Sequence, residues 1–224
     1  MSHPFGAGYN PDERLSTHFT LRDLTITSAP SQYSNIPDES QLANLRLLAK
    51  ALEVVYAKVG PFKIASAFRS QAVQNWLKSG GGGSSAASMA VSHSYHTLGI
   101  AADVVPMTLS QEEFFTRCYA IPAVRAVLGQ IVNKAEGGQA SIHLSLPTAQ
   151  FPSGTLMKVG EGGQYYRLSG NEVQDFLENY PVTITASLGL IALIGASTYW
   201  IVTRIRAGKP IIPNAVKQFV RQPG

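Results

Sequence analysis

The stretch from Ser92 to Asp103, which reads SHSYHTLGIAAD, has a histidine, a glycine and an aspartate at a spacing typical of metal sites. Its pattern is S-x-H-x-x-G-x-A-x-D, beginning at Ser94. Gly99 can adopt backbone angles that residues with a side chain avoid, so we expect it to end the loop that carries His96. The stretch therefore predicts a turn that leads from His96 directly into the next element.

The segment after this glycine predicts a β-strand, because residues 100–105 (IAADVV) are apolar and include β-branched side chains. Side chains alternate across a strand, so Asp103 shares one face with Ala101 and Val105. A carboxylate on such a face is costly to bury without a partner. A metal ion would provide that partner.

A second strand is predicted at residues 141–146 (SIHLSL), where apolar residues alternate with others. His143 then shares a face with Ser145. If the two strands are neighbours, His96, Asp103 and His143 can converge. Two histidines and a carboxylate, with a fourth position left for water, have the composition of a catalytic zinc site. The alternative is a loop histidine, a capping aspartate and a half-exposed strand histidine.

These motifs resemble those of the zinc D-Ala-D-Ala carboxypeptidase family, whose hedgehog-type DD-peptidase fold includes bacterial wall-remodelling enzymes and phage endolysins. The first motif matches the S-x-H-x-x-G-x-A-x-D of the family. Ile142-His143 matches its later W-[IV]-H strand, with Ser141 where the family usually has Trp. Upstream, 19–21 (FTL) and 64–70 (IASAFRS) resemble its opening segment and its ITSGYRS strand. The resemblance covers roughly residues 15–148.

The resemblance implies roles for five residues besides the catalytic acid/base. His96, Asp103 and His143 would bind Zn²⁺. Arg69 would hold a substrate or intermediate oxygen, since its planar fork suits a carboxylate, although a structural salt bridge is the alternative. Ser94 would support the site.

The catalytic acid/base departs from the family pattern. Its glutamate commonly lies within five residues of the second histidine, whereas Glu136 lies seven residues before His143. A bulge at Gly137-Gly138 would bring the Glu136 carboxylate back within reach of the metal site. Without it, the site would bind metal but lack its base. His93 is an alternative ligand close to the first motif.

Composition limits the other classes of function. Charged residues make up 14% of the 224-residue chain, and a net charge of +4 without a basic run does not favour nucleic acid as a partner. A single cysteine, Cys118, excludes an internal disulfide and predicts a core thiol. The first 19 residues have no apolar run, so no signal peptide is expected.

The chain divides into five expected segments. Residues 1–14 form a flexible arm, and 15–150 form the zinc peptidase-like domain. That domain is expected to be α+β, with a small antiparallel sheet flanked by helices. Residues 151–181 form a linker with a short helix, 182–203 a transmembrane helix and 204–224 a basic tail.

The transmembrane prediction rests on Val182 to Thr203, which contains no charged residue over 22 positions. At 1.5 Å per residue this run spans roughly 33 Å, enough for a bilayer core. Aromatic residues lie near its ends and basic residues follow it, so the peptidase-like domain would face the periplasm or the cell wall. A buried helix of a soluble protein is the alternative.

Together these features predict a zinc metallopeptidase that cleaves D-amino-acid-containing bonds of peptidoglycan stem peptides. A domain on the wall side conflicts with the expected lack of an export signal. Delivery from a phage virion would resolve this conflict. The alternative is a domain that stays in the cytoplasm and violates the charge rule for membrane orientation. The first alternative function is a non-catalytic structural virion or envelope protein that retains the fold. The second is a membrane channel component, whose helices would oligomerise through small residues such as Ala192 and Ala196.

Overall fold

The computed structural model describes residues 9–81, 94–134, 141–159, 165–169 and 171–172. Within them the chain is α+β, as predicted, with a six-stranded sheet and helices. The helices are α1 (Leu21–Thr25), α2 (Glu39–Lys58), α3 (Gln71–Lys78), α4 (Gln111–Ala120) and α5 (Pro122–Val127). The strands are β1 (Phe62–Ser66), β2 (Ala101–Pro106), β3 (Gln130–Asn133), β4 (Ile142–Ser145), β5 (Thr155–Val159) and β6 (Tyr165–Arg167).

The strand order is β1-β2-β4-β3-β5-β6, which makes the two motif-bearing strands, β2 and β4, antiparallel neighbours. The sheet is mixed rather than antiparallel, because β5 pairs with β3 in parallel. Strand β4 is paired on both sides, with β2 and β3, so the chain that follows it must join the sheet at another strand. This chain runs back to the start of β3, where the Gly154 N–H donates to the Leu128 carbonyl (2.8 Å). From there β5 runs parallel to β3.

The long helix α2 begins at a capping box. The Asp38 side chain accepts from the Gln41 N–H, and the Gln41 side chain accepts from the Asp38 N–H, so two otherwise unpaired donors are satisfied. The apolar face of α2, including Leu45, Leu48 and Leu52, is fully buried in the main core. That core lies on the side of the sheet away from the candidate site.

Two expected segment boundaries differ from the structure. Residues 9–14 are packed rather than arm-like, since the Pro11 and Glu13 carbonyls accept from the N–H groups of Arg22 and Leu21 at 2.7 and 2.8 Å. The region expected to be a linker supplies β5 and β6, which extend the sheet past residue 150. Pairing with β5 satisfies backbone groups along an edge of β3 that would otherwise be exposed.

None of the helices in the described ranges is long and apolar enough to cross a bilayer. Val182 to Thr203 and the basic tail lie outside those ranges, so the membrane helix stays a prediction.

Cys118 is buried in the main core, as predicted, and burial raises the pKa of its thiol.

Candidate metal centre

One row of residues across the sheet forms the base of the site. Asp103 of β2 pairs directly with His143 of β4. His143 pairs on its other side with Val132 of β3, and Asp103 pairs on its other side with Ser66 of β1. Residues that are directly paired in a sheet point to the same face. The expected convergence of the two motif strands is therefore a consequence of their register.

His96 reaches this row from the loop before β2. The Ser94 hydroxyl accepts from the His96 N–H (3.3 Å), and its carbonyl accepts from the Thr97 N–H (2.9 Å). Gly99 has a φ of +72°, and a Cβ there would lie 2.8 Å from the Gln41 carbonyl oxygen. Both the backbone angle and the close approach of α2 require glycine, as the sequence predicts.

His96, Asp103 and His143 are buried and lie close enough to bind a metal ion, with one ligand atom from each within 4.8 Å of the others. His96 Nε2 lies 3.5 Å from Asp103 Oδ2, and His143 Nδ1 lies 3.0 Å from Asp103 Oδ1. Ligand atoms about 2.0–2.2 Å from a tetrahedral ion are separated from one another by roughly 3.3–3.6 Å. The His96–Asp103 separation falls in this range, whereas His143 and Asp103 lie closer, at hydrogen-bonding distance, so an ion would have to replace that contact.

The hydrogen bonding of His96 prepares it for this role. Its Nδ1 lies 2.6 Å from the Ala67 carbonyl oxygen, which can only accept, so Nδ1 carries the proton and donates. The Nε2 lone pair is then directed toward Asp103. A carbonyl partner of this kind fixes the tautomer and orientation of metal-binding histidines.

Both imidazoles are neutral at pH 7. Burial, followed by the nearby Arg69 guanidinium, lowers the pKa of His96 to about 3. Burial is also the main cause that lowers the pKa of His143, with Lys134 and Arg69 acting in the same direction. The neutral form is the one that binds metal, so protonation does not compete with an ion near pH 7.

Asp103 is the centre of a charge cluster. The Lys134 ammonium donates to Oδ1 at 2.8 Å, and the Arg69 guanidinium donates to Oδ2 at 3.0 Å. Burial alone would raise the pKa of Asp103, but the Lys134 ammonium and a hydrogen bond from His143 outweigh it and hold the pKa well below its usual value. With neutral histidines, the two cations and one carboxylate leave a local charge of +1.

Arg69 is held on both sides. Its Nε donates to the Ser66 hydroxyl at 2.9 Å, and its backbone N–H donates to the His96 carbonyl at 3.1 Å. Arg69 also contacts Asp103, so it forms the structural salt bridge that the sequence analysis gave as its alternative role. The role of Arg69 in holding a substrate oxygen stays a prediction.

Glu136 and His93 lie outside the described residues, so the acid/base and the alternative ligand stay predictions. His18 lies away from the site, where its Nδ1 is 2.6 Å from Glu53 Oε1.

Two residues near the site were missed by sequence reasoning. Lys134 is only 6% exposed, and it follows β3 at two residues from Val132, so strand alternation places it on the site face. That alternation was a usable signal. The Tyr165 ring lies 5.7 Å from the His143 ring. Its contact comes from the pairing of β6 with β5, which motif spacing does not reveal.

No protein-family model matches this chain, and comparison with curated proteins and with solved structures found no match. Membership of the zinc D-Ala-D-Ala carboxypeptidase family therefore stays a prediction that rests on the quoted motifs.

Proposed function

We propose that residues 15–150 contain the active site of a zinc metallopeptidase that cleaves peptidoglycan stem peptides at D-amino-acid-containing bonds. The observation that supports it is the meeting of His96, Asp103 and His143, each buried, within 4.8 Å on one face of the sheet. A nitrogen-rich set of three protein ligands suits catalytic zinc, which keeps a fourth position for water or substrate.

The residues have separate roles in this proposal. His96, Asp103 and His143 hold the ion, and Ser94 fixes the loop that carries His96. When bound, zinc supplies Lewis-acid polarisation of a carbonyl and lowers the pKa of water toward about 7. Arg69 orients an anionic group of the substrate next to the site. Glu136 takes a proton from water and returns it to the leaving amine.

The membrane part of the proposal concerns Val182 to Thr203. This uncharged run inserts in a bilayer and holds the peptidase domain on the side of the wall, after delivery from a phage virion. Small residues such as Ala192 and Ala196 allow the helices to associate in a homo-oligomer or virion assembly.

The test uses the full chain with purified peptidoglycan. We expect new amino termini to appear, to be abolished by a chelator and to return when zinc is added. His96→Ala should lose zinc and activity together. Glu136→Gln should keep zinc but lower turnover by about 10²–10⁴-fold, the usual contribution of general acid–base catalysis. Full turnover in Glu136→Gln would remove Glu136 from the mechanism, and full zinc in His96→Ala would reject the ligand set.

A second candidate is a structural virion or envelope protein that retains the peptidase fold without hydrolysis. The contact of Lys134 with Asp103 favours it, because an ammonium already neutralises the predicted ligand carboxylate. A protein that binds zinc at this site but releases no amino termini under any metal condition would support this candidate.

A further inference from the structure

The Lys134 ammonium and a metal ion would use the same carboxylate oxygen. Lys134 Nζ lies 2.8 Å from Asp103 Oδ1, and His143 Nδ1 lies 3.0 Å from that oxygen. An ion bridging His143 and Asp103 would therefore approach the oxygen that the ammonium already occupies. Oδ2 does not offer a neutral alternative, since it accepts from Arg69 at 3.0 Å.

The distances set how close the two cations would come. Because the ammonium is 2.8 Å from Oδ1, an ion at roughly 2.0–2.2 Å from the same oxygen would lie within about 5 Å of Nζ. The site is buried, so water and salt screen this repulsion less than they would at the surface. A divalent ion therefore binds well only when the ammonium moves away from Asp103.

Lys134 differs from Arg69 in its freedom to move. Arg69 is fixed by Ser66 and by Asp103, whereas among the described residues the Lys134 side chain hydrogen-bonds only with Asp103. Lysine carries its charge on a flexible four-carbon stem, and rotation about that stem can move the ammonium without moving the strand.

We propose that Lys134 is an internal competitor of the metal ion, which weakens metal binding by occupying the Asp103 carboxylate. This inference rests on the proposed metal site but not on hydrolysis. It makes Lys134 the residue that sets the metal concentration at which the site fills. It also places a displaced ammonium beside the bound ion, where it adds to the positive charge that an anionic substrate group would meet.

The main test compares metal affinity in the full chain by competition with a chromophoric chelator, using zinc and cobalt separately. Lys134→Met removes the charge and keeps an unbranched side chain that is one atom shorter. We expect it to bind each ion at least tenfold more tightly than the unchanged protein. Lys50→Met makes the same chemical change at an exposed position of α2 and should leave both affinities unchanged. Adding His96→Ala to Lys134→Met should remove the gain.

Each outcome decides the question. Tighter binding in Lys134→Met alone supports competition, including the case in which the unchanged protein binds no measurable metal. Equal binding in both proteins overturns the inference and leaves the metal site intact. Absence of binding in both overturns the inference together with the metal site. Hydrolysis of peptidoglycan is a separate assay, so its failure does not affect this result.

A second measurement needs no variant, in case Lys134→Met does not fold. Amine-reactive methylation of the unchanged protein, read by peptide mass spectrometry, reports how accessible each lysine is. Lys134 is 6% exposed, so we expect slow labelling that rises severalfold when zinc is added and the ammonium leaves Asp103. Lys50 should label equally with and without zinc. Labelling of Lys134 that zinc leaves unchanged or slows would contradict displacement.

Discussion

The two faces of the central sheet are built from the same strands but depend on different interactions. On one face, Ala102, Val104, Ile142 and Leu144 are fully buried in the main apolar core. On the other, the alternate residues of those strands include Asp103 and His143, which contact ionisable groups. On the first face, the volume of a substituted side chain should decide whether the fold is stable. On the second face, the balance of charges should decide it.

The largest effect is expected from breaking the charge balance. Asp103→Asn removes the anion between Lys134 and Arg69 and leaves a buried ammonium without its partner. Removal of one member of a buried ion pair typically costs about 3–5 kcal/mol. Urea unfolding in the presence of a chelator at pH 7 should show this loss in the free energy of unfolding.

A double variant distinguishes charge from shape at the same position. Replacing a buried ion pair by apolar residues of similar volume is often neutral. Asp103→Leu combined with Lys134→Met removes the anion together with one of its two cations, so it should recover part of the stability lost by Asp103→Asn, while Arg69 still lacks its carboxylate partner. If the double variant is as unstable as the single one, packing rather than charge controls this face.

On the core face, Leu144→Ala should lower the free energy of unfolding by about 2–5 kcal/mol, because it leaves a cavity in the middle of the sheet. Ile142→Val, which removes one methylene on the same strand, should cost only about 0.5–1.5 kcal/mol. Both variants should keep metal affinity once folded, since neither side chain faces the site. A large loss of affinity in Ile142→Val would show that the two faces are coupled.

The pH dependence of stability should come mainly from the site face. The pKa of His96 is lowered from 6.5 to about 3 in the folded protein, so the unfolded chain takes up a proton at higher pH. Stability is therefore complete above about pH 6.5 and falls as the pH drops toward 3. Between pH 7 and pH 5 His96 alone should cost about 2 kcal/mol, and His143, whose pKa is also lowered, adds to it.

The measurement is urea unfolding of the chelator-treated protein at several pH values. His96→Gln should flatten the slope between pH 7 and pH 5. A slope in His96→Gln equal to that of the unchanged protein would assign the pH dependence to other groups.

The sequence predicted the parts of the fold and site that are encoded locally. Strand alternation and the need for glycine at position 99 are local, and both hold in the structure. The parallel pairing of β5 with β3 was not predictable, because it depends on which edge is free after β4 takes two partners. Alternation along β3 places Lys134 on the same face as Val132, but its contact with Asp103 was missed because that also needs the register of three strands, β2, β4 and β3.

The smallest expected effect concerns two serines that make similar hydrogen bonds in different places. The Ser94 hydroxyl accepts from the His96 N–H at 3.3 Å, and the Ser110 hydroxyl accepts from the Glu113 N–H at 3.1 Å at the start of α4. Loss of such a bond typically costs about 0.5–1.5 kcal/mol, so Ser94→Ala and Ser110→Ala should destabilise the protein to a similar extent. Only Ser94→Ala should also weaken zinc binding, by severalfold, because it loosens the loop that holds His96.

Zinc titration of both variants beside their unfolding curves separates the effect on stability from the effect on zinc binding. Equal zinc affinity in the two variants would mean that Gly99 and the contact of His96 with Ala67 are sufficient to hold the ligand, and that Ser94 supports only the loop.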